Sequence, residues 1–496
     1  MEEVNSAVVV GGGDNGLMAA LTLREQHPDV DITVVDDPDR ENSDVGKSTT
    51  NSFNDIVHDF LEVDNDRFVE EVRPIWKAGI YFEDWCGREP FHLPFDEVTL
   101  QPPAPSRDRF DMLYARHRDN GFRSLCVELA ERGLTPFMRE RGGIQIYGYV
   151  AYHLNTRRFN AFLRELCAER DVEIVGDEIA TVEVEDGWIT RIESDTTEYE
   201  ADLYVDASGF DRVLAGRLEN EFVEFDYPLD SAVVTTVDLS LSEVEPATVI
   251  RSGDYGWFWQ IDTYDCRDVG YVYASDFLTD ADATAEFIEM HDGAFTEDDV
   301  TQYRFQSGVL ERAWEANCVA VGNALGFVEP LLSVALSTNA QLCSTLSTLL
   351  AGHGGINHSG LRELYNDIAG ALWDDVYDIT SLTYRHSSGD TEFWTAMEDV
   401  GDPEGVVGYV DLYHANGFSS YDREQHEPYA YPRYLIYRLL RGLGVRSEFY
   451  EDLDIDGSPK AEESIANHEE FLAEQVGNHL SYDDFYAGEY ARLDGS

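Results

Sequence analysis

The chain has 496 residues, and its 98 acidic residues against 35 basic ones give a formal net charge of -63 at pH 7. Such a charge repels phosphate backbones and anionic lipids, which argues against nucleic-acid binding and membrane-surface binding. The hydrophobic fraction of 43% is enough to build a core and argues against disorder. Only three basic residues are lysines, namely Lys47, Lys77 and Lys460. We interpret the many carboxylates and few lysines as a salt-adapted surface, as in the cytoplasm of a halophilic organism.

The sequence carries no export or metal-binding pattern. Its N-terminus is acidic and lacks the basic segment and cleavage site of a signal peptide, and no apolar run approaches the roughly 18 residues that span a bilayer. The six cysteines are widely spaced, without a CxxC pair or a Cys/His metal pattern. We therefore predict a cytoplasmic protein with free thiols and no metal site.

The first predicted elements form a strand–turn–helix–strand unit. Residues 6–10 are apolar and predict a buried strand, a helix is predicted from Leu17 to about Glu25, and residues 31–36 predict a second strand. The turn between the first strand and the helix reads Gly11-Gly12-Gly13-Asp14-Asn15-Gly16. A GxGxxG turn in this position is typical of dinucleotide-binding proteins.

Four residues of this unit are predicted to serve a dinucleotide. Gly11 permits the tight turn, Gly13 lets a pyrophosphate approach the backbone, and Gly16 allows the helix to pack closely on the strand. Asp36 would accept a hydrogen bond from an adenosine ribose hydroxyl, while the helix N-terminus stabilises the phosphate charge.

The later part of the chain first alternates between helix and strand and then becomes helical. A helix is predicted over 159–169, residues 233–277 are rich in strand patterns, and helical periodicity begins after Ser333. Shorter strands are predicted at 172–175, 180–185, 188–194 and 201–205. The predicted fold class is α/β: a Rossmann-type βαβ module, an interleaved β-rich region and a helical C-terminal part.

Two further segments indicate which dinucleotide binds. Residues 202–209 read as a strand that ends in an Asp-x-x-Gly turn, and residues 317–324 as a strand that enters a Gly-Asn turn. Together with the glycine turn they resemble the flavin contacts of the aromatic-hydroxylase type of FAD monooxygenase. The resemblance implies FAD as cofactor, contacted by Asp206, Gly209, Gly322 and Asn323. No second GxGxxG exists for a nicotinamide cofactor, so we expect reduced flavin from a separate flavin reductase, or electrons from a nicotinamide that binds only transiently.

Two motifs in the predicted β-rich region stand out. The segment 256–262 reads Gly-Trp-Phe-Trp-Gln-Ile-Asp, which places Trp257 and Trp259 on one face of a strand. Lys77 stands in the half-buried stretch 74–85, where a lysine is costly to desolvate. Taken alone, the tryptophans would be more typical of an aromatic core pair than of a functional site.

These two motifs resemble the flavin-dependent halogenases, of which the tryptophan halogenases are the best-known members. That family has a Trp-x-Trp-x-Ile-Pro motif and a lysine in a Phe-Lys-x-(Gly/Ala)-x-x-Phe-x-x-Trp context. The resemblance runs from Val8 to about Met397 and includes the segments 152–155, 305–308, 314–319, 327–331 and 390–394.

The resemblance implies a mechanism and roles for particular residues. Reduced FAD and oxygen would oxidise chloride or bromide to hypohalous acid near Ser333, Val334 and Ala335. Lys77 would bind that acid, or carry the halogen as a haloamine, beside an electron-rich aromatic substrate. Trp257 and Trp259 would separate flavin from substrate. The substrate pocket would include His92 and Phe95.

The chain departs from the family pattern at four places. Asp262 replaces the final proline of the tryptophan motif, and Lys47-Ser48 replace Glu-Ala in a Gly-Glu-Ala-Thr segment. Leu332 stands where tryptophan halogenases have their catalytic glutamate, and Val334-Ala335 replace a halide-binding Thr-Gly pair. Phenol- and pyrrole-type halogenases also lack that glutamate, so indole, phenol and pyrrole substrates all remain open.

The interleaved pattern predicts three regions. A FAD-binding module comprises residues 1–70, 140–220 and 305–350; a substrate region comprises 71–139 and 221–304; a helical region comprises 351–496. The sequence leaves a homodimer open. It also leaves three alternative functions: a monooxygenase or reductase of the same fold, similar to geranylgeranyl reductases; a non-catalytic flavoprotein; and a structural helper in a biosynthetic cluster.

Overall fold

The computed structural model describes residues 4–39, 45–96, 123–140, 143–146, 148–353, 358–401, 403–416, 433–447 and 459–489. Its first sheet has six strands, of which all neighbours are parallel except the last pair. Across the sheet the order is Glu173–Gly176, Asp31–Asp36, Ser6–Val10, Leu203–Asp206, Cys318–Ala320 and Trp314–Glu315. The parallel arrangement confirms the predicted α/β class, since a βαβ unit forms its centre.

The helix after the first strand begins earlier than predicted. It spans Asp14–Gln26 rather than starting at Leu17, because Gly13 is extended (φ −73°, ψ 175°) and its carbonyl accepts a hydrogen bond from the Leu17 amide at 3.0 Å. The second half of the glycine turn is therefore already the first turn of the helix. Its free amides face the carboxyl edge of the sheet.

A second sheet has seven strands and lies in the β-rich part of the chain. The order across it is Thr301–Arg304, Ser231–Val237, Arg267–Tyr273, Gly256–Asp262, Thr248–Ser252, Gly79–Asp84 and Phe91–Pro94. Neighbours are antiparallel except for Thr248–Ser252 and Gly79–Asp84, which are parallel. Every residue of Gly256–Asp262 is buried, so this strand is covered on both faces. Segments 79–94 and 231–304 thus share one sheet; the three-region division itself stays a prediction.

Four smaller sheets have three strands each. Their strands, sheet by sheet, are Ile179–Glu185, Trp188–Ser194 and Glu198–Tyr199; Phe222–Glu224, Gly308–Leu310 and Gly326–Phe327; His479–Ser481, Leu134–Glu140 and Gly143–Ile146; Lys47–Ser48, Ala151–Leu154 and Ile75–Lys77. In the last of these, Ala151–Leu154 pairs with both other strands. It therefore brings the two sequence segments that contain Lys47 and Lys77 to one sheet.

The helices lie mostly beside the first sheet and in the C-terminal part. They are Asp14–Gln26, Ser52–Asn54, Asn65–Val72, Leu125–Arg132, Thr156–Glu169, Asp280–Met290, Ala335–His353, Ser359–Arg385, Glu392–Met397, Pro403–Asn416, Arg433–Gly442, Pro459–Val476 and Tyr482–Asp484. Several begin at side-chain caps, as at Asn155, whose side-chain Oδ1 accepts from the Arg158 amide. In the described part of the chain, no helix has the length and apolarity needed to cross a bilayer.

The C-terminal segment folds back onto the strand that carries Lys77. The Tyr482 hydroxyl accepts a hydrogen bond from the Trp76 amide and donates one to the Trp76 carbonyl, both at 3.1 Å. Phe485 packs edge-on against the Trp76 ring with centroids 4.9 Å apart. Residues more than 400 positions away in sequence thus fix Trp76, and with it the neighbouring Lys77.

Low salt should destabilise this fold strongly. A net charge of -63 repels itself across the whole surface when the Debye length is about 30 Å, at 0.01 M salt, and much less when it is about 3 Å, at 1 M. We expect the thermal midpoint to rise by roughly 10 °C or more between these conditions. Sucrose is the control, because it is excluded from the surface but screens no charge. A midpoint that is equal at both salt concentrations would contradict a salt-adapted surface.

Candidate functional site

A cavity of about 830 Å³ lies between the carboxyl edge of the six-stranded sheet and the seven-stranded sheet. The glycine turn borders one end, and the start of the Ala335–His353 helix and the two tryptophans border the other. Most predicted site residues line it, namely Gly11, Gly13, Asp36, Gly209, Gly322, Asn323, Trp257, Trp259, Ser333, Val334 and Ala335. The cavity therefore joins the predicted cofactor end to the predicted halide end.

The geometry of the glycine turn explains why Gly11, Gly13 and Gly16 lack side chains. Gly11 has φ +116°, and a Cβ atom there would stand 2.4 Å from the Ala207 carbonyl oxygen. A Cβ at Gly16 would stand 1.9 Å from the Gly11 carbonyl oxygen, so Gly16 serves packing and does not line the cavity. Gly13 has an ordinary φ of −73° that any residue can adopt. Its missing side chain instead leaves space at the helix N-terminus, where a phosphate would bind.

Asp36 reaches the cavity from the end of its strand. Its Oδ1 accepts from the Gly12 amide at 2.9 Å, and its Oδ2 accepts from the Arg164 guanidinium. The carboxylate is thus held at the mouth of the glycine turn, still partly exposed to the cavity. This geometry fits the predicted hydrogen bond to a ribose hydroxyl.

Asp206 lies outside the cavity, contrary to the expected flavin contact. It is fully buried, and its Oδ1 accepts from the amide and hydroxyl of Ser208 at 3.0 and 2.6 Å. Its Oδ2 accepts from the amides of Leu214 and Ala215 at 2.9 and 2.8 Å. Four donors saturate the carboxylate, so Asp206 acts by shaping the turn that presents Gly209 to the cavity.

Two asparagines that the sequence reasoning missed also line the cavity. Asn15 Oδ1 and Asn339 Nδ2 are buried without a hydrogen-bond partner, although Asn339 Oδ1 accepts from the Gly322 amide at 2.7 Å. Gly322 has φ +57°, and a Cβ there would strike the Asn15 side chain at 2.3 Å. Unsatisfied buried polar atoms beside a glycine turn fit a polar ligand such as a flavin dinucleotide. Asn15 stands in the fingerprint itself, whereas Asn339 carried no signal.

The two tryptophans lie on one strand, as their spacing predicts, and both line the cavity. Trp257 is 1% exposed and Trp259 is 7% exposed. Gly270, on the neighbouring strand, makes room for Trp259, because a Cβ there would lie 2.5 Å from the indole ring. The role of the two rings in separating flavin from substrate stays a prediction.

Glu329, which the sequence reasoning noted only as part of a motif, is a buried acid on the cavity wall. It is 2% exposed; one carboxyl oxygen accepts from the Leu331 amide at 3.2 Å, and the other has no partner. Trp257 and Tyr384 lie beside the carboxyl without meeting hydrogen-bond geometry. Burial raises the pKa of Glu329 to about 8, so at neutral pH it is a neutral acid.

Glu329 should make stability depend on pH. Because its pKa is raised in the folded state, the native protein holds a proton that the unfolded chain releases above about pH 4.5. Stability should therefore fall as pH rises from about 4.5 to 8, by at most about 5 kcal/mol from this group. In Glu329→Gln the loss should be smaller, measured as the stability difference between parent and variant at pH 5 and pH 9. An equal difference at both pH values would contradict the raised pKa.

The predicted halide segment stands at the N-terminus of the Ala335–His353 helix. Ser333 has φ +59°, a left-handed conformation that costs a non-glycine residue about 1 kcal/mol. The Val334 carbonyl accepts from the Thr338 amide at 2.9 Å, which places Val334 at the helix start. A helix N-terminus carries partial positive charge and attracts an anion. Leu332 is buried, and its aliphatic side chain offers no polar atom.

Lys77 is fully buried and does not line the cavity. Its Nζ donates to the Thr49 carbonyl at 3.3 Å and lies 5.1 Å from the centre of the Phe95 ring. Burial, with no carboxylate to offset it, holds the pKa of this amine well below its usual value. Burial thus favours the neutral form of the amine, whose nitrogen lone pair can act as a nucleophile.

The structure brings Phe95 to Lys77 but not His92. His92 stacks on Tyr81 with ring centroids 4.3 Å apart, and its Nε2 lies 3.5 Å from the Glu131 carboxylate. His92 and Phe95 both lie near residues 97–122, which are outside the described residues. A substrate role for His92 stays a prediction.

A chain of hydrogen bonds that the sequence did not predict connects the cavity to the surroundings of Lys77. His153 is fully buried, with Nδ1 3.2 Å from the Asp262 carbonyl and Nε2 3.0 Å from the Thr248 hydroxyl. Thr248 also meets the Ser48 hydroxyl at 3.0 Å, and both Ser48 and Thr248 line the cavity. Since a carbonyl only accepts, Nδ1 carries the proton and Nε2 accepts from Thr248. His153 is neutral, because burial holds its pKa well below the usual value.

Comparison with known proteins adds independent findings. A profile described as tryptophan halogenase matches residues 6–454. The tryptophan 7-halogenase KtzQ of Kutzneria sp. (strain 744) is 29% identical over 442 residues, which cover 83% of this chain and 82% of the relative. The tryptophan 7-halogenase RebH of Lentzea aerocolonigenes is 29% identical over 444 residues, with 83% and 82% covered. The solved structure of MibH, a lathipeptide tryptophan 5-halogenase, superposes with a TM-score of 0.85 at 26% identity and covers 98% of this chain and 93% of that chain.

Proposed function

We infer the reaction from one established point: the chain belongs to the tryptophan halogenase family. It is a flavin-dependent halogenase, and its substrate is a small aromatic compound. We propose that reduced FAD from a separate flavin reductase, molecular oxygen and chloride or bromide are its co-substrates. When bound, reduced FAD would supply the electrons that partly reduce oxygen, and the activated oxygen would oxidise halide to hypohalous acid.

The cavity residues bind the cofactor and halide in this proposal. The glycine turn receives the diphosphate, Asp36 the ribose, and Asn15 and Asn339 the remaining polar groups of the dinucleotide. The halide binds at the start of the Ala335–His353 helix. Trp257 and Trp259 keep the aromatic substrate on the far side of the wall, so that it reacts with hypohalous acid and not at the flavin.

Lys77 is the observation that carries the proposal. A neutral amine attacks hypohalous acid through its nitrogen lone pair, forming an N–halogen bond and releasing water; a protonated amine has no lone pair to do so. Burial lowers the pKa of Lys77 and so favours its neutral form; among the described residues its Nζ donates to the Thr49 carbonyl and lies beside the Phe95 ring. The halogen then passes as a cation equivalent from nitrogen to the aromatic carbon. The N–halogen bond breaks, and the proton displaced from the ring restores the N–H bond, which regenerates the amine.

The residue at position 332 limits the range of possible substrates. With Leu332 there, no carboxylate at this position accepts the ring proton or stabilises the ring cation. We propose that the substrate is an indole, phenol or pyrrole whose own heteroatom activates the attacked carbon. Unactivated positions of free tryptophan's benzo ring should react poorly.

A substrate panel tests the proposal. The protein would be incubated in molar salt with FAD, a flavin reductase, bromide and a set of indoles, phenols and pyrroles, and the products read by mass spectrometry. Brominated phenol or pyrrole in excess over brominated tryptophan is the expected result. Oxygenated products, or peroxide with no modified organic product, would instead support a monooxygenase or a non-catalytic flavoprotein. Efficient halogenation of the benzo ring of tryptophan would contradict the role given to Leu332.

A further inference from the structure

The cavity that is proposed to hold an anionic dinucleotide is itself strongly acidic. Six acidic residues line it besides Glu329, which is uncharged at neutral pH, and the basic residues that line it within the described chain are Lys47 and Arg304. A diphosphate brings further negative charge into this surrounding. Electrostatic repulsion would oppose its binding unless a cation stands close to the phosphates.

Arg304 lines the cavity and Arg164 bonds to Asp36 beside it, and both guanidinium groups already bind protein groups. Arg304 pairs with Asp280 at 2.6 Å and bonds to the Ser231 hydroxyl. Arg164 bonds to Asp36 and donates to the Gly12 carbonyl at 2.9 Å. Neither guanidinium is free to turn towards a phosphate without breaking these contacts.

Lys47 differs from both arginines. It pairs through its backbone with Leu154, and its side chain borders the cavity but forms no ion pair among the residues that the structure describes. Its charge acts at the glycine turn, because Lys47 is the largest influence that opposes the burial-driven rise in the pKa of Asp14. Asp14 is the first residue of the Asp14–Gln26 helix, whose N-terminus faces the proposed phosphate position. Lys47 therefore lines the same cavity as that N-terminus and acts electrostatically on its first residue, and its ammonium group forms no ion pair with a described residue.

We propose that Lys47 binds the diphosphate of the dinucleotide cofactor directly and offsets the acidic lining of the cavity. The inference rests on the proposed function for the presence of that cofactor. It gives a role to the Lys47-Ser48 departure, where the family pattern has Glu-Ala. A glutamate in this cavity would add to an already unfavourable charge, whereas a lysine provides a charge-assisted hydrogen bond to phosphate.

The test compares ligand binding by calorimetry in molar salt for the parent, Lys47→Met and Lys47→Arg. FAD and ADP carry a diphosphate, and adenosine does not. We expect Lys47→Met to weaken FAD and ADP about tenfold and adenosine less than twofold, with Lys47→Arg close to the parent. Equal weakening of adenosine would show a general disturbance of the site and overturn the proposal. So would an unchanged affinity for FAD in Lys47→Met.

A second variant separates direct binding from mere neutralisation of Asp14. If Lys47 contacts phosphate, Lys47→Met should weaken ADP by a similar factor in the parent and in an Asp14→Asn background. If Asp14→Asn fully restores the affinity lost in Lys47→Met, Lys47 only compensates Asp14 and the proposal fails. A parent protein that binds neither FAD nor ADP would overturn the cofactor assignment, and with it this inference. Ligand binding by the parent therefore tests the cofactor assignment, and the change in affinity in the Lys47 variants tests the role of Lys47.

Discussion

Replacing Lys77 by methionine should abolish halogenated product while FAD binding and halide-dependent oxygen consumption persist. The amine is fully buried, and its hydrogen bond to the Thr49 carbonyl is a long one of 3.3 Å, so little folding energy depends on it. Methionine keeps much of the side-chain volume but has no nitrogen to hold the halogen. We expect product to fall by at least about a thousandfold, as when a covalent nucleophile is removed. The measurement is product formation by mass spectrometry beside flavin binding by fluorescence.

Lys77→Ala and Phe95→Leu serve as comparisons. Alanine opens a cavity and should lower stability by about 1–3 kcal/mol, whereas methionine should not. Phe95→Leu keeps an apolar contact beside the amine and should reduce activity much less than either change at Lys77. If Lys77→Met retained full activity while Phe95→Leu lost it, halogenation would depend on packing around Phe95 and not on the amine of Lys77.

Gly13→Val should eliminate FAD binding without unfolding the protein. Gly13 is extended, with φ −73° and ψ 175°, which suits a β-branched residue, so backbone strain is not expected. The isopropyl group would occupy the space at the helix N-terminus where the diphosphate must approach the backbone. We expect FAD affinity to fall more than about a hundredfold, read by flavin fluorescence. Retention of the parent's flavin spectrum would contradict the placement of the cofactor.

Gly11→Ala is the matched control for Gly13→Val. Here φ is +116°, and the added Cβ would meet the Ala207 carbonyl oxygen at 2.4 Å. This variant should lose about 2–4 kcal/mol of stability, because the backbone itself must shift. One glycine is therefore required for ligand space and the other for the fold, and the thermal midpoint distinguishes them.

The sequence predicted those parts of the site that depend on local pattern. A strand, a glycine turn and a helix in register determine the end of the cavity that holds Gly11 and Gly13, because each element follows from neighbouring residues. The spacing of Trp257 and Trp259 places both on one strand face, and the structure puts both on the cavity wall. Lys77, conspicuous as a rare lysine in an apolar stretch, is indeed buried.

What the sequence could not predict depends on contacts between distant segments. Asp206 was expected at the flavin, but its carboxylate is saturated by a turn that ends at Ala215, which no local pattern indicates. Tyr482 holds the Lys77 strand from more than 400 residues away, and residues 398–496 gave no interpretable motif. The absence of an ion pair between Lys47 and any described residue, and the raised pKa of Glu329, likewise follow only from the groups that surround them.

The most direct test of the central claim is the appearance of bromine in an aromatic product that depends on Lys77. Parent and Lys77→Met proteins would be supplied with the same reduced flavin, oxygen, bromide and phenol in molar salt, and the products analysed by mass spectrometry. We expect the paired bromine isotope peaks in the parent reaction alone, with equal flavin binding by both proteins. Brominated phenol at the same rate in both reactions, or in neither, would contradict halogenation through the buried amine.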